Sequence, residues 1–238
     1  VREPSTLAVV TDDGKGNPRY AFYREADRAF TRDGLIAALP AKIELFQIGG
    51  FCTIRDDDMA VWLDVAREAV KRGATISTDP NLRPSLIDDL EAYRKRIMVS
   101  LELASIIKLS EEDLETLDAG KSIEQHAAAM LARPNCRLVV VTLGSEGSLA
   151  FTKKASVRAP IYPAKPGGDN VGAGDTLMAG ILTWLSDHKA LSPDKLGGLD
   201  EGELRDMLRC GAVGAGINCS RVGANPPNRA EVDAAIRG

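Results

Sequence analysis

The sequence lacks the features that are typical of nucleic-acid-binding proteins, membrane proteins and histidine-ligated metalloproteins. No basic stripe is visible and the formal net charge is -4, so we expect no nucleic-acid partner. The longest apolar runs fall well short of a membrane span, and the first residues lack the pattern of a signal peptide, so we expect no membrane partner. The two histidines, His126 and His188, are predicted on polar helix faces, which disfavours a histidine-ligated metal.

Cysteines are few and scattered. Cys52, Cys136, Cys210 and Cys219 form no C-x-x-C pair. This pattern favours four free, mostly buried thiols in a reducing compartment over a disulfide or metal framework. We therefore expect a cytoplasmic protein.

The common nucleotide-binding and nucleophile motifs are also missing. The segment AGKS at 119–122 resembles the end of a P-loop, but Glu115 stands where the first glycine is required. GAVGAG at 211–216 does not follow a strand and is predicted to lie inside a helix, where its small residues permit close packing. LGSEG lacks the G-x-S-x-G spacing, so Ser145 is not predicted to be a nucleophile.

What the sequence does contain is an alternation of apolar strands and helices. Thr6–Arg24 predicts a β-hairpin whose turn lies in DDGKGNP. Later strands are predicted at IELFQIGGF, ATISTDPN, SIIKLS, RLVVVTLG and GSLAF. Helices are predicted at 56–73, about 86–103, 111–117, 123–133, 175–188 and, as the last one, about 201–218. This order predicts a mostly parallel sheet covered on both faces, with a hairpin segment (1–30) and one α/β domain (31–238).

The segment GGDNVGAGDT predicts an anion site at the start of a helix. Gly172, Ala173 and Gly174 precede an apolar run, and a helix N-terminus offers unpaired N–H groups and a partial positive charge. Such a terminus, with little side-chain bulk, suits a phosphate group. Asp175 stands at the predicted helix start, where it could be an N-cap or a catalytic base. The segment alone leaves these two roles open.

Five segments in order resemble the ribokinase/PfkB family of sugar kinases. DNVGAGDT is similar to that family's D-T-x-G-A-G-D signature, with Asn170 in place of the threonine. The other four segments are STDPNLRP, IIKLSEEDL, VVVTLGSEGSLAF and INCSRVGANPP, the last most like bacterial fructokinases. The resemblance implies a three-layer α/β/α fold with a small β-lid. It also implies that the N-terminal part of that fold is absent from this chain.

The resemblance further implies an ATP-dependent sugar kinase that phosphorylates a primary hydroxyl group, with Mg²⁺ and with D-fructose as the favoured substrate. Asp175 would accept the hydroxyl proton, and the amides of Gly172, Ala173 and Gly174 would hold the transferring phosphoryl group. The alternatives within the class are a 2-keto-3-deoxygluconate kinase or a ribokinase or nucleoside-type kinase. A non-catalytic fragment that binds nucleotide or sugar is the alternative outside it.

Other site residues follow from the same resemblance. The sugar would contact Phe22, Arg24 and Arg83, although Arg83 alone could equally be a surface salt-bridge residue. The nucleotide would contact Lys108, Ser110, Thr142, Gly144, Gly147 and Ala212.

Two ion sites and a dimer are also implied. Asp113 would assist Mg²⁺ through water, and Asp169 and Val171 would lie near a monovalent cation such as K⁺. Family members often pair their lids, so a homodimer through the β-lid is expected. A two-stranded element is marginal on its own and has edges to cover, which agrees with this expectation.

Overall fold

A computed structural model of the chain describes residues 2–12, 18–87 and 89–237. These residues form a six-stranded sheet with flanking helices and a separate two-stranded sheet. The strands are β1 Leu7–Asp12, β2 Pro18–Tyr23, β3 Leu45–Gly49, β4 Thr75–Asp79, β5 Ile106–Ser110, β6 Leu138–Thr142, β7 Ser148–Phe151 and β8 Ser156–Ala159. The helices are α1 Arg32–Ala38, α2 Asp56–Lys71, α3 Leu90–Ser100, α4 Glu111–Asp118, α5 Ile123–Leu131, α6 Ala173–Asp187, α7 Pro193–Gly198, α8 Glu201–Cys219 and α9 Arg229–Arg237.

The large sheet is mostly parallel, as the sequence predicted. Its strands lie in the order β3-β4-β5-β6-β7-β8, with parallel pairs from β3 to β6 and antiparallel pairs beyond. Neighbouring residues of β5 point to opposite faces: Ile107 lies in a buried cluster with Ile97 of α3, and Ile106 in another with Ile181 of α6. Helices therefore cover both faces, which explains why β4, β5 and β6 are buried along almost their whole length.

The predicted hairpin is confirmed as an antiparallel pair of β1 and β2, in which Leu7 lies opposite Tyr23. The turn predicted between these strands lies outside the described residues. The hairpin meets the main domain through Phe22, whose ring centroid is 4.6 Å from that of Phe51 in an edge-on arrangement. Phe51 follows the carboxyl end of β3, so the hairpin lies over the carboxyl ends of the strands, where ligands bind in such folds.

Several predicted boundaries are wrong. Residues 86–103 are not one helix, because the Asp89 side chain accepts a hydrogen bond from the Ala92 amide and so starts α3 at Leu90. The helix at 201–219 is not the last, since α9 follows it. His126 lies on a buried helix face rather than a polar one, where its Nε2 is 3.0 Å from the Asp118 carbonyl oxygen.

The expectation of free thiols is confirmed. All four cysteines are free thiols, and Cys136 and Cys210 are buried. None of the helices in the described part of the chain has the length and apolar character that a membrane crossing requires.

Helices α6 and α8 pack closely because glycines line their contact, as predicted for the GAVGAG segment. A Cβ atom built on Gly180 of α6 would lie 2.7 Å from the Gly211 Cα atom of α8. A Cβ atom on Gly211 would lie 2.7 Å from the Leu177 carbonyl oxygen. Both distances are shorter than real Cβ contacts allow, so a side chain at either position would force the two helices apart. Since α6 begins at the candidate site, this contact also fixes its N-terminus.

We expect Gly211→Ala to lower the free energy of unfolding by about 1–3 kcal/mol, as overpacking does elsewhere. Helix propensity alone favours alanine by about 1 kcal/mol, so the packing effect must exceed that gain. Urea denaturation would measure the change. The control is Gly198→Ala at the end of α7, where the nearest atom to the new Cβ is Lys154 Nζ at 4.0 Å. A Gly211→Ala protein as stable as the wild type would contradict the packing argument.

Candidate active site

A cavity of ≈ 380 Å³ lies at the carboxyl ends of the parallel strands. It is bounded by the segments that follow β3 and β4, by Lys108 of β5, by the N-terminus of α6 and by the hairpin. Its lining residues are Phe22, Gly50, Phe51, Ile54, Asp79, Asn81, Arg83, Lys108, Asn170, Val171, Gly172, Ala173, Gly174 and Asp175. The structure thus brings together predicted phosphoryl, sugar and nucleotide residues from four distant parts of the sequence.

The N-terminus of α6 forms one wall of the cavity. Gly172 is the N-cap with φ 76, a left-handed conformation that suits glycine, and it makes no side-chain cap hydrogen bond. The helix begins at Ala173, so Asp175 is the third helical residue and not an N-cap as the sequence allowed. The Asp175 side chain is exposed and lines the cavity. The capping explanation for this aspartate is therefore wrong, and its carboxylate is left to the cavity.

A buried ion pair lies beside this helix terminus. Lys108 Nζ on β5 is 2.9 Å from Asp79 Oδ2 at the end of β4, and both side chains are less than a tenth exposed. The same ammonium group would be 3.3 Å from a Cβ atom placed on Gly174. Burial raises the pKa of Asp79, and the charge and hydrogen bond of Lys108 act in the opposite direction. The ammonium group therefore stands between the Asp79 carboxylate and the start of α6.

Asp79, Asn81 and Phe51 are cavity residues that were not singled out from the sequence. Asp79 and Asn81 belong to the STDPNLRP segment, where a strand that ends in polar residues and proline signalled a site. The position of Asn81 has a positive φ of 43, which turns the chain sharply after β4. Phe51 gave no signal of its own, because its role depends on the hairpin that packs against it.

Asp113 fixes the loop that carries Asn81 and Arg83. Its Oδ1 atom accepts a hydrogen bond from the Leu82 amide at 2.8 Å, and its Oδ2 atom accepts one from the Ser110 amide at 2.7 Å. The Ser110 hydroxyl accepts from the Asp113 amide in return, which completes a capping box at the start of α4. Neither Ser110 nor Asp113 lines the cavity, so their nucleotide and Mg²⁺ roles stay predictions.

Arg24 lies behind the aromatic wall of the cavity rather than in its lining. Its guanidinium carbon is 4.7 Å from the Phe51 ring centroid, and its Nε atom is 2.6 Å from Asp27 Oδ2. A second carboxylate, that of Asp58 in the first turn of α2, has its Oδ2 atom 3.8 Å from Arg24 Nη2. These contacts hold Arg24 against Phe51 and the start of α2, and a direct sugar contact by Arg24 stays a prediction.

The remaining predicted nucleotide residues lie outside the cavity lining. Thr142 ends β6, and the following turn contains Gly144 and Gly147, both with positive φ. A Cβ on Gly147 would lie 2.1 Å from the Ala159 carbonyl oxygen, whereas nothing lies within 4 Å of one on Gly144. Ala212 is buried within α8. Packing alone thus requires Gly147, and nucleotide contacts by these four residues stay predictions.

Asp169 joins two loops near the cavity. Its Oδ1 atom accepts from the Val171 amide at 2.9 Å and its Oδ2 atom from the Gly223 amide at 2.7 Å. These backbone hydrogen bonds hold the pKa of Asp169 below its usual range. Asn218 adds a third link, because its side-chain amide donates to the Val171 carbonyl oxygen at 2.8 Å. Both oxygens of the Asp169 carboxylate and the Val171 carbonyl oxygen thus accept hydrogen bonds within the protein, and a monovalent cation beside them stays a prediction.

Comparisons with known proteins agree with this geometry. The sequence matches the model of the family described as pfkB family carbohydrate kinase over residues 1–231. It is 31% identical over 232 residues to the probable fructokinase-3 of Arabidopsis thaliana. That match covers 97% of this chain and 65% of the Arabidopsis protein. The fructokinase of Xylella fastidiosa with bound ATP has a TM-score of 0.84 at 25% identity, over 99% of this chain and 74% of that chain.

A second solved structure extends the comparison. The fructokinase of Vibrio cholerae O395, in a form that binds fructose, ADP and calcium ion, has a TM-score of 0.80 at 24% identity. That match covers 98% of this chain and 73% of the other. The chain thus spans 65% of the length of the Arabidopsis relative and about three quarters of the two bacterial structures. These likenesses confirm the ribokinase-like fold that the sequence predicted.

Proposed function

The chain belongs to the pfkB family of carbohydrate kinases, and we propose on that premise that it transfers the γ-phosphoryl group of ATP to the primary hydroxyl group of D-fructose. One observation carries the proposal: the Asp175 carboxylate and the glycine-rich start of α6 line the same cavity as Phe22 and Arg83. Fructokinases among both the curated relatives and the solved structures support fructose as the substrate.

The proposed reaction is an in-line phosphoryl transfer. The sugar oxygen forms a bond to the γ-phosphorus while the bond from that phosphorus to the bridging oxygen breaks, so ADP leaves. The hydroxyl proton passes to the Asp175 carboxylate, which is exposed to the cavity. The positive end of α6 and its amides at Gly172–Gly174 stabilise the negative charge on the transferring group. Because such transition states are loose, positioning and charge supply most of the rate.

The residues of the site fit a magnesium ion that arrives with ATP. Mg²⁺ bound to nucleotides takes only one or two carboxylates besides phosphate oxygens and water. Because the Asp175 carboxylate accepts the hydroxyl proton in this reaction, the carboxylate left for the ion is that of Asp113, which would assist it through water. The described residues contain no group of three or more acidic, histidine or cysteine side chains that would hold a metal without the nucleotide. When bound, the ion neutralises part of the phosphate charge.

A panel of sugars with ATP and Mg²⁺ tests the proposal. ADP formation would be measured with D-fructose, 2-keto-3-deoxygluconate, D-ribose and nucleosides, and we expect the highest kcat/KM with D-fructose. A higher kcat/KM with another member of the panel would overturn fructose but keep the kinase. ADP binding without turnover on any sugar would instead support a non-catalytic nucleotide-binding chain. Exchanging K⁺ for tetramethylammonium in the same assay tests the cation predicted beside Asp169 and Val171.

We also propose that the hairpin pairs with that of a second copy of the chain. Leu7, Val9 and Tyr23 form an apolar surface on it, and Leu7 and Tyr23 are 55% and 64% exposed. An apolar surface on a two-stranded sheet is unstable in isolation, which supports a partner. Sedimentation velocity should show a dimer that Leu7→Asp with Tyr23→Asp converts to a monomer. A wild-type monomer at micromolar concentration would refute this pairing.

A further inference from the structure

We propose that Asp79 is a positioning residue, which holds the Lys108 ammonium group against the start of α6 so that the transferring phosphoryl group meets a fixed positive charge. This inference rests on the proposed function, because it assigns a role within the same site. It concerns a residue that does not itself bond to the reacting atoms.

The Asp79–Lys108 pair lies next to the start of α6. Asp79 Oδ2 accepts a hydrogen bond from Lys108 Nζ at 2.9 Å, and a Cβ atom placed on Gly174 would lie 3.3 Å from that ammonium group. Gly174 is the second residue of α6, where the positive end of the helix dipole is strongest. Asp79, Lys108 and Gly174 all line the cavity. A phosphoryl group at the start of α6 would therefore have Lys108 beside it.

Without Asp79, nothing among the described residues explains why the ammonium group should stay in this position. Lys108 is 5% exposed, so its charge is largely removed from water, and the helix terminus beside it carries a charge of the same sign. Within the described part of the chain, Lys108 forms an ion pair with one carboxylate, that of Asp79. The carboxylate thus offsets both the desolvation of the ammonium group and its repulsion by the helix.

The state of Asp79 itself argues against a purely structural pair. Its Oδ1 atom is buried and has no hydrogen-bond partner among the described residues. Such an atom carries a desolvation cost, and Asp113 and Asp175 add repulsion that raises the pKa of Asp79 further. Buried ion pairs contribute little to stability compared with apolar packing. A costly buried pair that lines a cavity is typical of functional sites.

A double-mutant cycle tests the coupling between the two residues. Asp79→Asn should lower kcat by ~10- to 100-fold and Lys108→Met by ~100-fold, as the loss of one charge-stabilising group does in other enzymes. If Asp79 acts through Lys108, the double variant should be no slower than Lys108→Met alone. The KM for the sugar should change by less than about threefold in all three variants, since neither substitution removes a contact with the bound sugar. Multiplying effects on kcat would overturn the proposal, because the two residues would then act independently.

Binding and stability measurements separate this role from a loss of folding and from failure of the proposed function. Calorimetric titration with ATP and Mg²⁺ in the absence of sugar should show a weaker complex for Lys108→Met. The salt dependence of ATP binding should change in Asp79→Asn and stay that of the wild type in Asp64→Asn. Asp64 is a matched control, since it also pairs with basic side chains, Arg32 and Arg67, but lies away from the cavity. ATP binding by Asp79→Asn with the affinity and salt dependence of the wild type would overturn the proposal, even if the wild type phosphorylated no sugar. If Asp79→Asn does not fold, Asp79→Ser serves instead, because it also removes the carboxylate, and wild-type kcat in that variant would equally overturn the proposal.

Discussion

Asp175→Asn is expected to lower kcat by about 10³-fold, within the range usually lost with a general base. The substitution keeps the size and shape of the side chain but removes its capacity to accept the hydroxyl proton. The carboxylate is exposed to the cavity at the third position of α6, and the Gly172 N-cap needs no side chain from it. The folded structure should therefore remain intact. Steady-state kinetics with ATP and the preferred sugar would measure the loss.

The control for this substitution is Glu203→Gln in α8. Glu203 is also the third residue of its helix and completes a capping box with Asp200. Glu203→Gln therefore tests whether the loss of a negative charge in the first turn of a helix is itself enough to lower kcat. We expect the kcat of this variant to equal that of the wild type. Asp175→Asn should bind ADP with nearly the affinity of the wild type. If it retained more than about a tenth of the wild-type kcat, the loss would be too small for a general base, and Asp175 would not be the proton acceptor.

The sequence predicted the order of the central elements because their signals are local. The strands β4, β5 and β6 are buried on both faces, and the apolar runs of β5 and β6 and the β-branched residues of β4 are recognisable without knowledge of their neighbours. Helix α9 was not predicted, although it is amphipathic: Val232 and Ile236 lie four positions apart and pack at the margin of a core cluster. Such spacing is a helical signal, so this helix was predictable from the sequence.

The site residues that belong to one sequence motif were predictable, whereas those that only the fold brings together were not. Gly172, Gly174 and Asp175 come from one short motif, and the structure places all three in the cavity. The Asp79–Lys108 pair joins two strands 29 positions apart, so only the parallel register of β4 and β5 brings them together. Asp113 shows the opposite case, since a motif suggested a metal role whereas the structure shows a carboxylate that accepts two backbone hydrogen bonds.

Gly174→Val is expected to lower kcat by about 10²-fold, the loss typical when charge stabilisation of a transition state is disrupted. A Cβ atom at this position would lie 3.3 Å from Lys108 Nζ, and the two methyl groups of valine would enter the space beside the ammonium group. The phosphoryl group could then approach neither the amides of α6 nor Lys108 as closely. Kinetics should show the loss in kcat together with weaker ADP binding in a calorimetric titration.

The chain offers a matched control for this change in Gly202, the second residue of α8, just as Gly174 is the second residue of α6. Gly202→Val introduces the same β-branched side chain at the same position of a helix, so it reproduces the effect of helix propensity without touching the cavity. A kcat of wild-type magnitude in Gly202→Val, beside a large loss in Gly174→Val, would assign the effect to the cavity. Equal kinetics in the two variants would mean that the phosphoryl group does not lie at the start of α6. Neither the glycines at that terminus nor Lys108 would then have the catalytic role proposed for them.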